Sequence, residues 1–101
     1  MATFAVTLAH GARWKAGQGP REQAVWAEHA AFMDALVDDG FIIIGGPLPG
    51  GALLAVECED ESAARRRLAA DPWAQAGLLT VISVQHWPLW LDSRKAPAQP
   101  V

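Results

Sequence analysis

The sequence predicts an α+β fold with one antiparallel sheet. Three observations carry this. Alternating apolar residues mark a strand at each end of the chain. A long helical apolar pattern follows the first strand, and a shorter one precedes the last. Between the helices lie two apolar runs joined by a Gly/Pro-rich turn.

Ala2 to Ala9 alternates Phe4, Val6 and Leu8 with Thr3, Ala5 and Thr7, so it reads as a strand. His10 to Pro20 holds three glycines and a proline and reads as a long loop. Pro20 can open a helix, and Arg21 to Asp39 carries a helical pattern closed by Gly40. Phe41 to Ile44 is continuously apolar, as in a strand buried on both faces. Gly45 to Gly51 reads as a hairpin connection and Ala52 to Glu57 as the returning strand. Asp60 or Ser62 can cap a second helix running to about Ala70. Its apolar face is thin, Ala64 and Leu68, which suits close packing on a sheet. Gly77 to Trp87 is the last strand, with Leu78, Thr80, Ile82 and Val84 expected on one face. Residues 1–92 therefore form one domain, and 93–101 a flexible C-terminal tail.

The order β-α-β-β-α-β is the ferredoxin-like arrangement, a four-stranded antiparallel sheet with both helices on one face. The other face is too apolar to stand in water. Two sheets packed face to face would cover it, giving a homodimer with a barrel-like core. With 51% hydrophobic residues and five Trp in 101 positions, an oligomer is expected.

Charge and cysteine content exclude several function classes. Net charge is −3, and the one basic run, Arg65-Arg66-Arg67, fans around a helix, so no nucleic-acid partner is expected. The single Cys58 has neither a disulfide partner nor metal-ligand spacing, and reads as a small residue at a strand end. No stretch approaches the roughly 18 apolar residues of a membrane span, and no signal peptide is visible. A cytoplasmic protein without membrane association is expected.

His29 is the residue to explain. It sits on the helical apolar stripe with Val25, Phe32, Met33 and Leu36, where a bland sequence would carry Leu or Ala. A polar ring facing a core needs a hydrogen-bonding partner. Following chain direction, one end of the fold collects His10 and its loop, His29, Gly45-Gly46 and Asp71, whereas His86 falls at the opposite end. Glycines there would leave room for a cleft. Asp71 beside His29 would fix the ring tautomer and aim the other nitrogen at a ligand. The expected catalytic pair is His29 and Asp71, and the expected substrate-binding residues are His10, Trp14, Gly45 and Gly46.

Each residue also has a structural reading. His29 can be a core histidine satisfied by a backbone carbonyl. Asp71, followed by Pro72, is a good helix N-cap in any case. Trp14 can be a lid or a loop anchor. Trp26, Trp73, Trp87 and Trp90 commonly mean core and interface. A His10–His29–Asp71 metal site lacks a characteristic spacing, so no metal is assigned.

Taken together, Glu28-His29-Ala30-Ala31-Phe32, Gly40, Gly45-Gly46-Pro47, Glu61-Ser62-Ala63-Ala64, Asp71-Pro72-Trp73, Gly77 and Val84-Gln85-His86-Trp87 resemble the YciI-like (YCII-related) family of the dimeric α+β barrel superfamily. The resemblance runs from the first strand to Trp87. It implies a homodimer with a His–Asp pair in a cleft, at His29 and Asp71. Most members have no known function. Some resemble enzymes acting on aromatic rings, including dehydrochlorination of a chlorinated hydroxyhydroquinone. The wider superfamily includes muconolactone isomerase and cofactor-free monooxygenases. Family members often carry Arg where this chain has Trp26, so a cation that could hold an anionic substrate is missing.

The expectation is a small enzyme with no cofactor. It would move a proton, as an isomerase or lyase, on a small cyclic or phenolic compound. The alternative is a non-catalytic ligand-binding or accessory dimeric module. A stand-alone structural dimer is a third reading.

Overall fold

The computed structural model describes residues 1–94. Strands β1 (Ala2–His10), β2 (Ile42–Leu48), β3 (Gly51–Cys58) and β4 (Leu79–His86) form one sheet in the order β2-β3-β1-β4. All three pairings are antiparallel. Helices α1 (Trp26–Asp38), α2 (Glu61–Ala69) and α3 (Pro72–Gln75) complete the fold. This is the predicted α+β, ferredoxin-like arrangement. The short α3, before β4, follows the cap expected at Asp71-Pro72.

Alternation builds the core. Phe4, Val6 and Leu8 of β1 face the helices, opposite Val56, Leu54 and Ala52 of β3. Leu36 of α1 and Ala64 and Leu68 of α2 close over them. Asp60 caps α2, accepting from the Ala63 N–H at 2.8 Å.

Four local expectations are corrected. First, the helix does not begin at Arg21. Pro20–Glu22 forms a 3-10 turn, and α1 starts at Trp26 after Val25, whose φ is 49°. The buried Gln23 ends the turn because its side chain is committed elsewhere: it donates to the Lys15 and Gln18 carbonyls and accepts from the Lys15 N–H.

Second, Gly45 and Gly46 are not hairpin residues. They pair with Leu54 and Leu53 inside β2, and the turn is confined to Pro49 and Gly50. Third, β2 is not buried on both faces. It is an edge strand, and Ile44 and Leu48 are 62% and 50% exposed in the single chain. Fourth, β4 does not keep one alternation along its length. The pairing with β1 shifts between Thr7 and Leu8, so Leu79, Val81 and Val84 face the helices and Ile82 faces outward.

Of the Trp residues, Trp73 is buried while Trp87 and Trp90 are exposed. Of the expected tail, all but Ser93 and Arg94 lies outside the described residues.

Candidate functional site

The upper end of the sheet, where β1 finishes, carries the cleft. Trp14, Trp26 and Trp73 line it from the loop and helices, and Ile43 to Pro47 line it from β2. Its volume is about 570 Å³, within the usual size range of small-molecule sites.

His29 sits on α1 with its ring in the wall of this cleft. Its Nδ1 lies 2.8 Å and 3.0 Å from the two carboxylate oxygens of Asp71. Asp71 is 2% exposed and His29 8%. A carboxylate only accepts, so Nδ1 carries the proton and donates. Nε2 has no hydrogen-bonding partner within the described chain. It is not sealed in the core either, since no buried side-chain polar atom among the described residues lacks a partner. Nε2 therefore keeps some exposure, in a ring that lines the cleft. In the neutral ring it is a base, and in the imidazolium it is an acid.

Local sequence explains why Asp71 is there. It precedes Pro72 and caps α3, accepting the Trp73 N–H at 3.0 Å through the same Oδ1 that meets His29. The cap and the pair are one group. Trp73 then lies flat on the His29 ring, centroids 3.7 Å apart and planes 7° from parallel. Its indole N–H donates to the Ala24 carbonyl at 2.8 Å, tying α3 to the entry of α1. Trp26 tilts against both rings, 5.9 Å from His29 and 5.7 Å from Trp73.

His10 and Trp14 also line the cleft. They stack on each other at 3.7 Å, and Trp14 meets Trp73 edge-on at 5.3 Å. The aromatic sequence His29–Trp73–Trp14–His10 thus runs from the pair to the loop. Gly45 and Gly46 line the cleft from the edge strand, but only Gly45 is packed. A Cβ there would fall 2.4 Å from Leu54 Cδ2, whereas one on Gly46 would meet nothing within 4 Å. Among the described residues no cluster of three or more His, Cys, Asp or Glu is arranged to hold a metal ion. His86 packs on Phe4 at the far end of the sheet.

Sequence reasoning missed Gln23 and Asp34. Gln23 gave one signal, an amide directly after a proline turn, but no periodicity betrays a side chain that holds a loop. Asp34 lines the cleft from α1. It falls five residues beyond His29, outside the apolar stripe, and reads from sequence as a solvated residue.

The fold is a ferredoxin-like α+β domain with a cleft between its first helix and its edge strand. The chain matches the YCII-related domain over residues 6–88, most of its length, and it belongs to that family. No curated protein matches it. Among solved structures, it is similar to 5-chloro-2-hydroxyhydroquinone dehydrochlorinase from Burkholderia phenoliruptrix AC1100, determined in complex with 2,5-dihydroxybenzoquinone. The TM-score is 0.61 at 18% identity, covering 93% of this chain and 99% of that one. At that identity the likeness is one of fold. No described helix is long and apolar enough to cross a membrane.

Proposed function

We propose that this chain is a small proton-transfer enzyme of isomerase or lyase type, acting on a small cyclic or phenolic compound. His29 is the base and acid, and Asp71 orients it. One observation carries the reading: the Nδ1–Asp71 contact at 2.8 Å, which leaves Nε2 without a protein partner in a ring that lines an aromatic cleft. Nε2 takes a proton from a ring hydroxyl or ring carbon. In isomerisation the proton returns at another position. In elimination the leaving group departs with its bonding pair. Neither path calls on an organic cofactor or a metal. His10, Trp14, Gly45 and Gly46 contribute to substrate binding. The likeness in fold to a dehydrochlorinase acting on a ring compound supports the substrate class.

The working unit is a homodimer joined through sheet faces, in the cytoplasm. Ile44, Leu48 and Ile82 are large apolar residues left exposed by the single chain, which supports that assembly. Residues 1–92 act as one domain, with 93–101 as its tail.

A non-catalytic ligand-binding module is the second reading. It is favoured by the small exposure of the His29 ring and by the cover Trp73 gives one of its faces. Exchange of ring C–H for deuterium separates the two. Phenols and lactones are incubated with the protein in deuterium oxide and followed by proton NMR. Catalysed exchange by the parent, abolished in His29→Gln, is expected. Binding without exchange leaves the module reading in place.

A further inference from the structure

We infer that the cleft selects uncharged, hydroxyl-bearing planar rings and rejects carboxylated ones, with Asp34 as the residue that sets this choice. The inference rests on the ring-binding reading above and adds its charge selectivity.

The cleft holds three indoles, from Trp14, Trp26 and Trp73, and no Lys or Arg among its described lining residues. The nearby cations are not among the lining residues. Arg13 and Lys15 flank Trp14 in the loop but line a different cavity, against Gly77. Arg65 and Arg67 of α2 pair with Glu61 and Asp39. Helix α1, one wall of the cleft, carries Glu28, Asp34 and Asp38 and no Lys or Arg. Of these, Asp34 lines the cleft itself.

A carboxylate entering this space would lose water and meet no Lys or Arg in return, and the His29 ring already faces the Asp71 carboxylate. It would also meet the like charge of Asp34, an exposed residue in the cleft lining whose repulsion is strongest at low salt. A ring hydroxyl has the opposite experience. It donates to the Asp34 carboxylate, a charge-assisted bond stronger than one between neutral groups. The same aromatic walls therefore sort rings by charge.

Two probes that differ by one carboxylate test this: resorcinol and 2,4-dihydroxybenzoate. Their binding is read from tryptophan fluorescence and calorimetry at low salt, with the parent protein, Asp34→Asn and Asp34→Lys. Asp34 is exposed, so both variants are expected to fold. Resorcinol should bind at least about ten-fold more tightly than 2,4-dihydroxybenzoate to the parent. Asp34→Asn should narrow that ratio and Asp34→Lys should reverse it. A merely structural role would weaken both probes together and leave the ratio alone. Equal or tighter binding of the carboxylate by the parent overturns the inference, as does a ratio unmoved by both variants. Failure of both probes to bind removes the ring-binding reading and this inference with it. Loss of the deuterium exchange alone leaves the selectivity standing.

Discussion

Trp73 lies flat on the His29 ring at 3.7 Å, and both are held by one carboxylate, Asp71. The same Oδ1 fixes the start of α3 and the tautomer of the imidazole. The start of the helix turn and the pair therefore depend on the same atom.

Replacing Asp71 should show that coupling. Asp71→Ala removes the cap and leaves a buried ring N–H unpaired, so a stability loss of about 3 kcal/mol is expected. Asp71→Asn keeps an acceptor for the Trp73 N–H and should cost less. It removes the ionised acceptor from Nδ1 all the same. Urea unfolding ranks the two variants. Nitrogen-15 shifts of the His29 ring report the tautomer: a single Nδ1–H form in the parent and a mixed population in Asp71→Asn. An unchanged tautomer in Asp71→Asn would mean that the pair does not orient the ring.

Trp73→Phe isolates the indole N–H. The Phe ring can still cover His29, but the bond to the Ala24 carbonyl is lost. A loss of about 2 kcal/mol is expected, part from that bond and part from the smaller ring. Ala24 precedes Val25, whose left-handed φ of 49° is costly for a β-branched residue. Hydrogen exchange at the start of α1 should accelerate in the variant. If exchange there is unchanged, the indole bond does not secure the helix entry.

Much of this was legible in the sequence, for identifiable reasons. Period-2 alternation located β1, and a Pro after Asp71 located the cap. Chain direction alone brought His29 and Asp71 to one end. Other features leave no periodic trace. The bulge at Thr7 and Leu8 moves Ile82 outward, because one extra residue reverses the alternation in the second half of β4. Gly45 and Gly46 look like turn residues, yet the strand continues through them because Leu54 occupies the space of a side chain at Gly45. Gln23 holds the loop before α1 through bonds to Lys15 and Gln18, which no helix propensity encodes.

The glycines at this edge differ in a way that stability can measure. A Cβ at Gly51 would sit 1.9 Å from the Leu8 carbonyl oxygen, a backbone atom with no room to move. Gly51→Ala should lose more than about 3 kcal/mol. At Gly45 the nearest obstacle is a side-chain end, Leu54 Cδ2, with the Leu53 carbonyl oxygen at 3.2 Å, so Gly45→Ala should lose about 1–2 kcal/mol and narrow the cleft. Gly46→Ala meets nothing and should stay within about 0.5 kcal/mol of the parent. The unfolding midpoints should fall in that order, and a Gly46→Ala variant as unstable as Gly51→Ala would contradict the register of β2.

The acid side of the stability profile should carry the mark of Asp39. The Arg67 guanidinium bonded to its side chain, and then the Phe41 N–H, hold this carboxyl below its ordinary value of 3.8. The sign follows from linkage: the folded state binds the proton less readily than the unfolded chain, so stability rises with pH through this range. The contribution is complete above the unfolded value and is lost as pH falls through the lowered folded one. Both side chains are exposed, so the effect is small and weakened by salt. Thermal midpoints of the parent and Asp39→Asn should differ by a constant amount above about pH 5 and converge in acid. Arg67 also lies over the Phe41 ring at 4.7 Å, so Arg67→Ala should cost more than Asp39→Asn, and part of its loss should persist in acid. A gap between the parent and Asp39→Asn that stays constant down to pH 2 would show that the Arg67 pair contributes nothing to folding.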